Sequence, residues 1–161
     1  MAGIRIVPAQ ASDVPVILQM IKALAEYEQL THEVVATEDD LRQSLFGPRP
    51  AAEVLLAWAG ETPVGFALFF HNFSTFLGRQ GLYLEDLFVV PEWRGRGVGK
   101  RLLAHVAAIA ESRRCGRMEW AVLDWNESAI AFYRGMGAHV LDEWRICRLT
   151  GPELRAAATR A

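Results

Sequence analysis

An apolar run from Leu82 to Val90 passes through Pro91, Glu92 and Trp93 into Arg94-Gly95-Arg96-Gly97-Val98-Gly99-Lys100. An apolar repeat of helical period follows at Val98, Leu102, Leu103, Val106 and Ile109. This strand, turn and helix constrain the chain more than any other segment. Three alternating glycines let the backbone take positive φ and approach a ligand closely. The helix start offers unpaired N–H groups and the positive end of a dipole, so the junction suits a phosphate or pyrophosphate. A dinucleotide fingerprint requires G-x-G-x-x-G near the start of a βαβ unit, and a P-loop requires G-x-x-x-x-G-K-[ST]. The spacing here is G-x-G-x-G past mid-chain, and Arg101 follows Lys100. Both nucleotide patterns fail, leaving Arg94-x-x-Gly97-x-Gly99 at a helix start.

Downstream, Val122 to Ala138 reads as a strand, an Asn126 helix cap and an amphipathic helix ending at glycine, with Phe132-Tyr133 inside it. The two segments together resemble the signatures of the GCN5-related N-acetyltransferase (GNAT) superfamily, Q/R-x-x-G-x-G/A and N-x-x-A-x-x-F-Y-x-x-x-G-A/F. Lys22 to Glu28 and Tyr83-Leu84-Glu85-Asp86 are similar to the spermidine/spermine and thialysine N-acetyltransferase branch, and the likeness runs over nearly the whole chain. The resemblance implies a mixed α/β fold: a mostly antiparallel sheet with splayed strands, flanked by helices.

At 161 residues and 17.9 kDa, the simplest organisation is one domain, 1–161, which buries roughly two thirds of its unfolded surface. Seventeen basic residues against nineteen acidic ones argue against general affinity for nucleic acid or anionic membrane. Cys115, Cys147 and four scattered histidines offer neither a metal set nor a disulfide framework. The N-terminus lacks the apolar core of a signal peptide and no run is long enough to span a membrane, so a cytoplasmic location is expected.

Strands are expected at Ile4 to Pro8, Ala52 to Trp58, Val64 to Phe73, Arg79 to Val90 and Arg117 to Leu123, with a final pair at Ala138 to Val140 and Glu143 to Leu149. Helices are expected after Ser12-Asp13, from Thr37 with Asp40 as its capping partner, from Gly97 to about Arg114, and after Asn126.

The resemblance implies acetyl-CoA as donor. Its pyrophosphate would meet the backbone of Gly95, Arg96, Gly97, Val98, Gly99 and Lys100, with Arg94, Arg96 and Lys100 adding charge. The amide-rich pantetheine arm would pair like an extra strand with Leu87, Phe88 and Val89, where that strand parts from Glu119 to Val122. Asn126 would cap its helix and touch the cofactor. Tyr133, with an ordinary phenol pKa near 10, would protonate the leaving thiolate. An alkyl ammonium must lose a proton before attack; Glu85 is favoured as a water-assisted base and Asp86 as a substrate anchor. Asp86 faces away from Glu85 in a regular strand unless a bulge re-aims it. Tyr27 and Glu28 are the better acceptor-side candidates after the first helix, with Glu26 and Glu33 equally suited to a solvated helix end. Trp144 matches a family aromatic near the substrate.

In the polyamine enzymes an acidic residue followed by Pro-Trp precedes the Tyr-Leu-Glu-Asp strand, whereas this chain has Ser74-Thr75-Phe76-Leu77-Gly78. With Val122-Leu123-Asp124-Trp125-Asn126, this points to the thialysine branch and a lysine-like acceptor, while other small amines stay open. The resemblance also implies a homodimer sharing the C-terminal strand region. Protein or peptide N-acetylation, a non-turning-over CoA-binding module and an arginine-rich nucleic-acid patch are the competing readings.

Overall fold

The computed structural model describes residues 3–161, which form two compact units, one ending at Ala121 and one from Val122 to Ala161. The first unit runs β1 (Ile4–Pro8), α1 (Val14–Tyr27), α2 (Glu38–Phe46), β2 (Glu53–Ala59), β3 (Thr62–Ser74), β4 (Arg79–Val89), α3 (Val98–Ser112) and β5 (Met118–Glu119). The strands form one sheet in chain order, antiparallel throughout except for the parallel β4–β5 pair. The expected mixed, mostly antiparallel sheet is present.

Local chemistry sets most boundaries. α2 opens on a reciprocal cap: Thr37 Oγ1 accepts the Asp40 N–H at 3.1 Å and the Asp40 carboxylate accepts the Thr37 N–H at 2.9 Å. The Ser12-Asp13 start of α1 is instead a short 3₁₀ turn, Ala11–Asp13, with the Asp13 carboxylate accepting the Gln10 N–H at 2.8 Å. The apolar stripe of α1 then packs with α2 on one sheet face: Val14, Ile17, Met20, Leu24, Leu41 and Leu45 are buried with Val54, Leu56, Phe66 and Phe88.

Successive strand residues alternate faces, so Gly65 and Ala67 lie opposite Phe66, on the side where α3 buries Val98, Leu102, Leu103 and Val106. A Cβ at Gly65 would come within 2.8 Å of the Phe88 carbonyl oxygen and 3.1 Å of Leu102 Cδ1. The strand carbonyl cannot move without breaking the ladder. Gly65→Ala is expected to cost about 1–3 kcal/mol, read as a lowered denaturation midpoint with unchanged slope.

The second unit holds α4 (Glu127–Gly135) and α5 (Gly151–Ala158). Two expectations for the C-terminal third are corrected. The strand expected over Arg117 to Leu123 is reduced to Met118–Glu119, and the final strand pair is not formed. A strand exists only where its backbone groups find a partner strand, and residues 138–150 have none among the described residues. α5 went unread although Thr150-x-x-Glu153 with Pro152 between them is a helix-start pattern.

Candidate active site

The glycine turn adopts the geometry its composition suggests. Gly95 has φ +72° and Gly97, the cap of α3, has φ +83°, a conformation that penalises any side chain. The Arg101 N–H bonds to the Gly97 carbonyl at 3.0 Å, which leaves the N–H groups of Val98, Gly99 and Lys100 without intrahelical acceptors. A Cβ at Gly99 would meet only Val89 Cγ2, at 3.6 Å, so this glycine is not sterically required. Arg96 lies over the Trp93 ring at 4.6 Å.

β4 runs into this turn with one edge open. Its parallel ladder with β5 covers Leu82↔Met118 and Tyr83↔Glu119, and no strand pairs with that edge beyond Tyr83 among the described residues. Leu87, Phe88 and Val89 therefore sit on a strand that pairs with β3 on one side and with no strand on the other among the described residues, where the Val89 carbonyl accepts Arg94 Nε at 2.9 Å. The helix N–H groups, the left-handed glycines and this edge fit a ligand with a pyrophosphate head and an amide-rich arm.

Between these features β4 carries a bulge. Leu68 pairs with Asp86 and Phe69 with Leu84, so Glu85 is an extra residue in the ladder. Paired residues share a face: Phe70 brings Tyr83, Leu68 brings Asp86 and Phe66 brings Phe88 to the α1 side. In a regular strand Tyr83 and Asp86 would face opposite ways. The bulge thus re-aims Asp86 toward the end of α1, where Glu28 caps the helix and is half-buried. Burial first, then the charges of Glu85 and Glu28, push the Asp86 carboxyl up to about 7. Burial also raises Glu28, and burial followed by Glu85 and Glu119 raises the Tyr83 phenol. Glu85 itself is exposed. Tyr83 belongs to this cluster although the sequence reading did not assign it; its two-residue spacing from Glu85 was the available signal.

Glu26 and Glu33 are exposed, the latter ion-paired with His32 at 3.4 Å, consistent with a solvated helix end. Tyr27 lies under Arg94, whose guanidinium is 4.6 Å from the Tyr27 ring and 5.4 Å from the Phe88 ring.

In the C-terminal unit, buried Asn126 caps α4, its Oδ1 accepting the Ala129 N–H and the Ser128 hydroxyl, each at 3.3 Å. Tyr133 is half-buried on α4, its ring 5.4 Å from that of Phe132. Trp144 is 74% exposed. A groove of about 460 Å³ in this unit is lined by Asp124, Glu127, Arg134 and Asp142 with apolar neighbours, and not by Tyr133 or Trp144.

A strand edge opened beside a glycine-capped helix start, with carboxylates gathered next to it, is the candidate transferase site. The acetyltransferase (GNAT) family profile matches residues 19–138, and the chain belongs to that family. It is an acyltransferase of the GNAT type. Its relatives include the mouse thialysine N-epsilon-acetyltransferase, 39% identical over 99% of this chain and 100% of the relative. The L-ornithine N5-acetyltransferase NATA1 of Arabidopsis thaliana is 38% identical over 94% of this chain and 86% of its own. Among solved structures, an integron cassette protein from the mobile metagenome of V. cholerae superposes with TM-score 0.81 at 26% identity, covering 98% of this chain and 99% of that one.

Proposed function

We propose that the whole chain acts as one catalytic domain that moves an acetyl group from acetyl-CoA to the primary amine of a small cationic acceptor with a lysine-like side chain. The observation that carries this reading is the gathering of Glu28, Glu85 and Asp86 at the β4 bulge. Asp86, whose proton affinity is raised by burial and by the charges of Glu85 and Glu28, is relieved by a cation, and an alkyl ammonium supplies one. The relatives named for thialysine and ornithine acetylation act on amines of that shape.

The donor supplies an activated thioester carbonyl, and the chain's own residues hold and polarise it. Backbone N–H groups from Gly95 to Lys100 bind the pyrophosphate, the open edge of Leu87, Phe88 and Val89 aligns the arm, and the N–H near Leu87 polarises the carbonyl. Asp86 and Glu28 anchor the ammonium beside Tyr27. Exposed Glu85 takes its excess proton through water, and Tyr133 delivers a proton to the thiolate. Asn126 steadies the start of the Tyr133 helix. The enzyme works in the cytoplasm as a homodimer, with the exposed Leu141, Trp144, Ile146 and Leu149 segment at the shared surface.

Thiol release from acetyl-CoA, followed with thialysine, ornithine, lysine, putrescine, spermidine and a basic peptide, tests this reading. The expected result is highest kcat/KM on thialysine or ornithine. Preference for the peptide would favour protein acetylation. Tight CoA binding with no turnover on any amine would reduce the chain to a CoA-binding module.

A further inference from the structure

We propose that Arg94 is a positioning residue of the acceptor side, a clamp that joins the end of α1 to β4, and that it is not a ligand of the pyrophosphate. The proposal rests on the transferase reading above and changes the role that the glycine motif by itself assigns to this arginine. Three contacts fix the side chain. Nε donates to the Val89 carbonyl at 2.9 Å, and the guanidinium lies over two rings, Tyr27 at 4.6 Å and Phe88 at 5.4 Å. Each contact faces back toward α1 and β4.

The place being clamped is the one the acceptor needs. Tyr27 is the last residue of α1, and Glu28, next in sequence, contributes charge to Asp86. Immediately after it the chain reverses through Gln29 at φ +62°, a left-handed conformation held by a non-glycine residue. It is the left-handed residue that closes a helix C-terminus, a geometry Arg114 repeats after α3. Local bonds enforce it in part: the Glu28 N–H bonds to Leu24 at 2.9 Å and the Leu30 N–H to Ala25 at 2.8 Å. Arg94 adds the tie across to β4, holding Glu28 in register with the bulge. One residue thus links the cofactor turn, the thioester strand and the last residue of α1, next to Glu28 in the chain. A guanidinium stacks on ring faces while donating in its own plane, and an ammonium does not reproduce both.

The decisive comparison uses Arg94→Lys, Arg94→Met, Tyr27→Leu and the Arg94→Met/Tyr27→Leu double variant, with unfolding midpoints measured to establish that each is folded. Three readouts are taken: Kd for CoA and for pantetheine, which lacks the phosphates; hydrogen exchange at the Glu28 and Leu30 amides; and kcat and KM with thialysine. The clamp predicts a CoA Kd within twofold of wild type in every variant. It predicts several-fold faster exchange at both amides, and a thialysine KM raised about fivefold or more with a smaller change in kcat. Lysine fails to rescue, and the double variant is no worse than the worse single one. A CoA Kd raised tenfold or more in Arg94→Met, restored in Arg94→Lys, absent in Tyr27→Leu and absent with pantetheine would make Arg94 a phosphate ligand and overturn the proposal. Unchanged exchange in both single variants would overturn it equally. If wild type does not turn over thialysine, the acceptor reading fails, while binding and exchange still decide whether Arg94 is a clamp.

Discussion

Tyr133→Phe is expected to lower kcat about 10²- to 10⁴-fold while leaving the Kd for CoA within about twofold, because the variant loses a proton donor and keeps the ring. The thiolate released from a thioester is a poor leaving group until protonated, and a phenol is almost fully protonated at neutral pH. The ring is half-buried beside Phe132 on a helix whose start is fixed by Asn126, so phenylalanine fills the same space. Stopped-flow measurement of the acyl-transfer step, together with CoA titration, separates this effect from lost binding. A kcat within threefold of wild type would remove the hydroxyl from proton transfer and leave Tyr133 as a packing residue.

The second large effect belongs to Asp86. Asp86→Asn is expected to raise the KM for a cationic acceptor about 10- to 100-fold, the range for losing a charged hydrogen-bond partner. The same variant is expected to be more stable than wild type at pH 8. The carboxyl moves from an ordinary 3.8 to about 7 on folding, so between those values the folded chain binds the proton and the unfolded chain does not. Wild-type stability therefore falls as pH rises from about 4 to 7 and stays lower above 7. Asparagine removes that slope: the two proteins should have similar unfolding midpoints near pH 4 and diverge in favour of the variant at pH 8. An acceptor ammonium supplies the missing positive charge and holds Asp86 ionised, so binding near pH 7 should release protons, detected as a buffer-dependent heat in calorimetry. Parallel pH–stability curves for the two proteins would show that Asp86 is not held protonated by its surroundings.

This trade between stability and function also bears on Glu85. As the bulged residue it is exposed, which suits exchange of a proton with water, whereas Asp86 is turned inward toward Glu28. The different settings of these adjacent carboxylates follow from one extra residue in a ladder, and flattening that bulge would return Asp86 to the α3 side of the sheet.

Much of this architecture is written locally. The apolar period from Val14 to Ala25 and from Val98 to Ile109 selects helices, the Thr37–Asp40 pair selects a helix start, and alternation through β2, β3 and β4 selects strands. The glycine turn was equally legible, because positive φ at Gly95 and Gly97 is a property of the residue itself. Residues 138–150 mark the limit. Their apolar content suits a strand, yet a strand needs a partner's backbone, and composition does not say whether one is present.

The amino-acid sequence by itself therefore determined the order of elements as far as α4, the glycine turn and the family, since each rests on side-chain type at short range. Only the tertiary structure decided that Glu85 bulges out and Asp86 turns in, that Tyr83 joins them, and that Arg94 lies against Tyr27 and Phe88. Those outcomes depend on cross-strand register and on residues 67 positions apart meeting in space, and neither leaves a periodic trace along the chain.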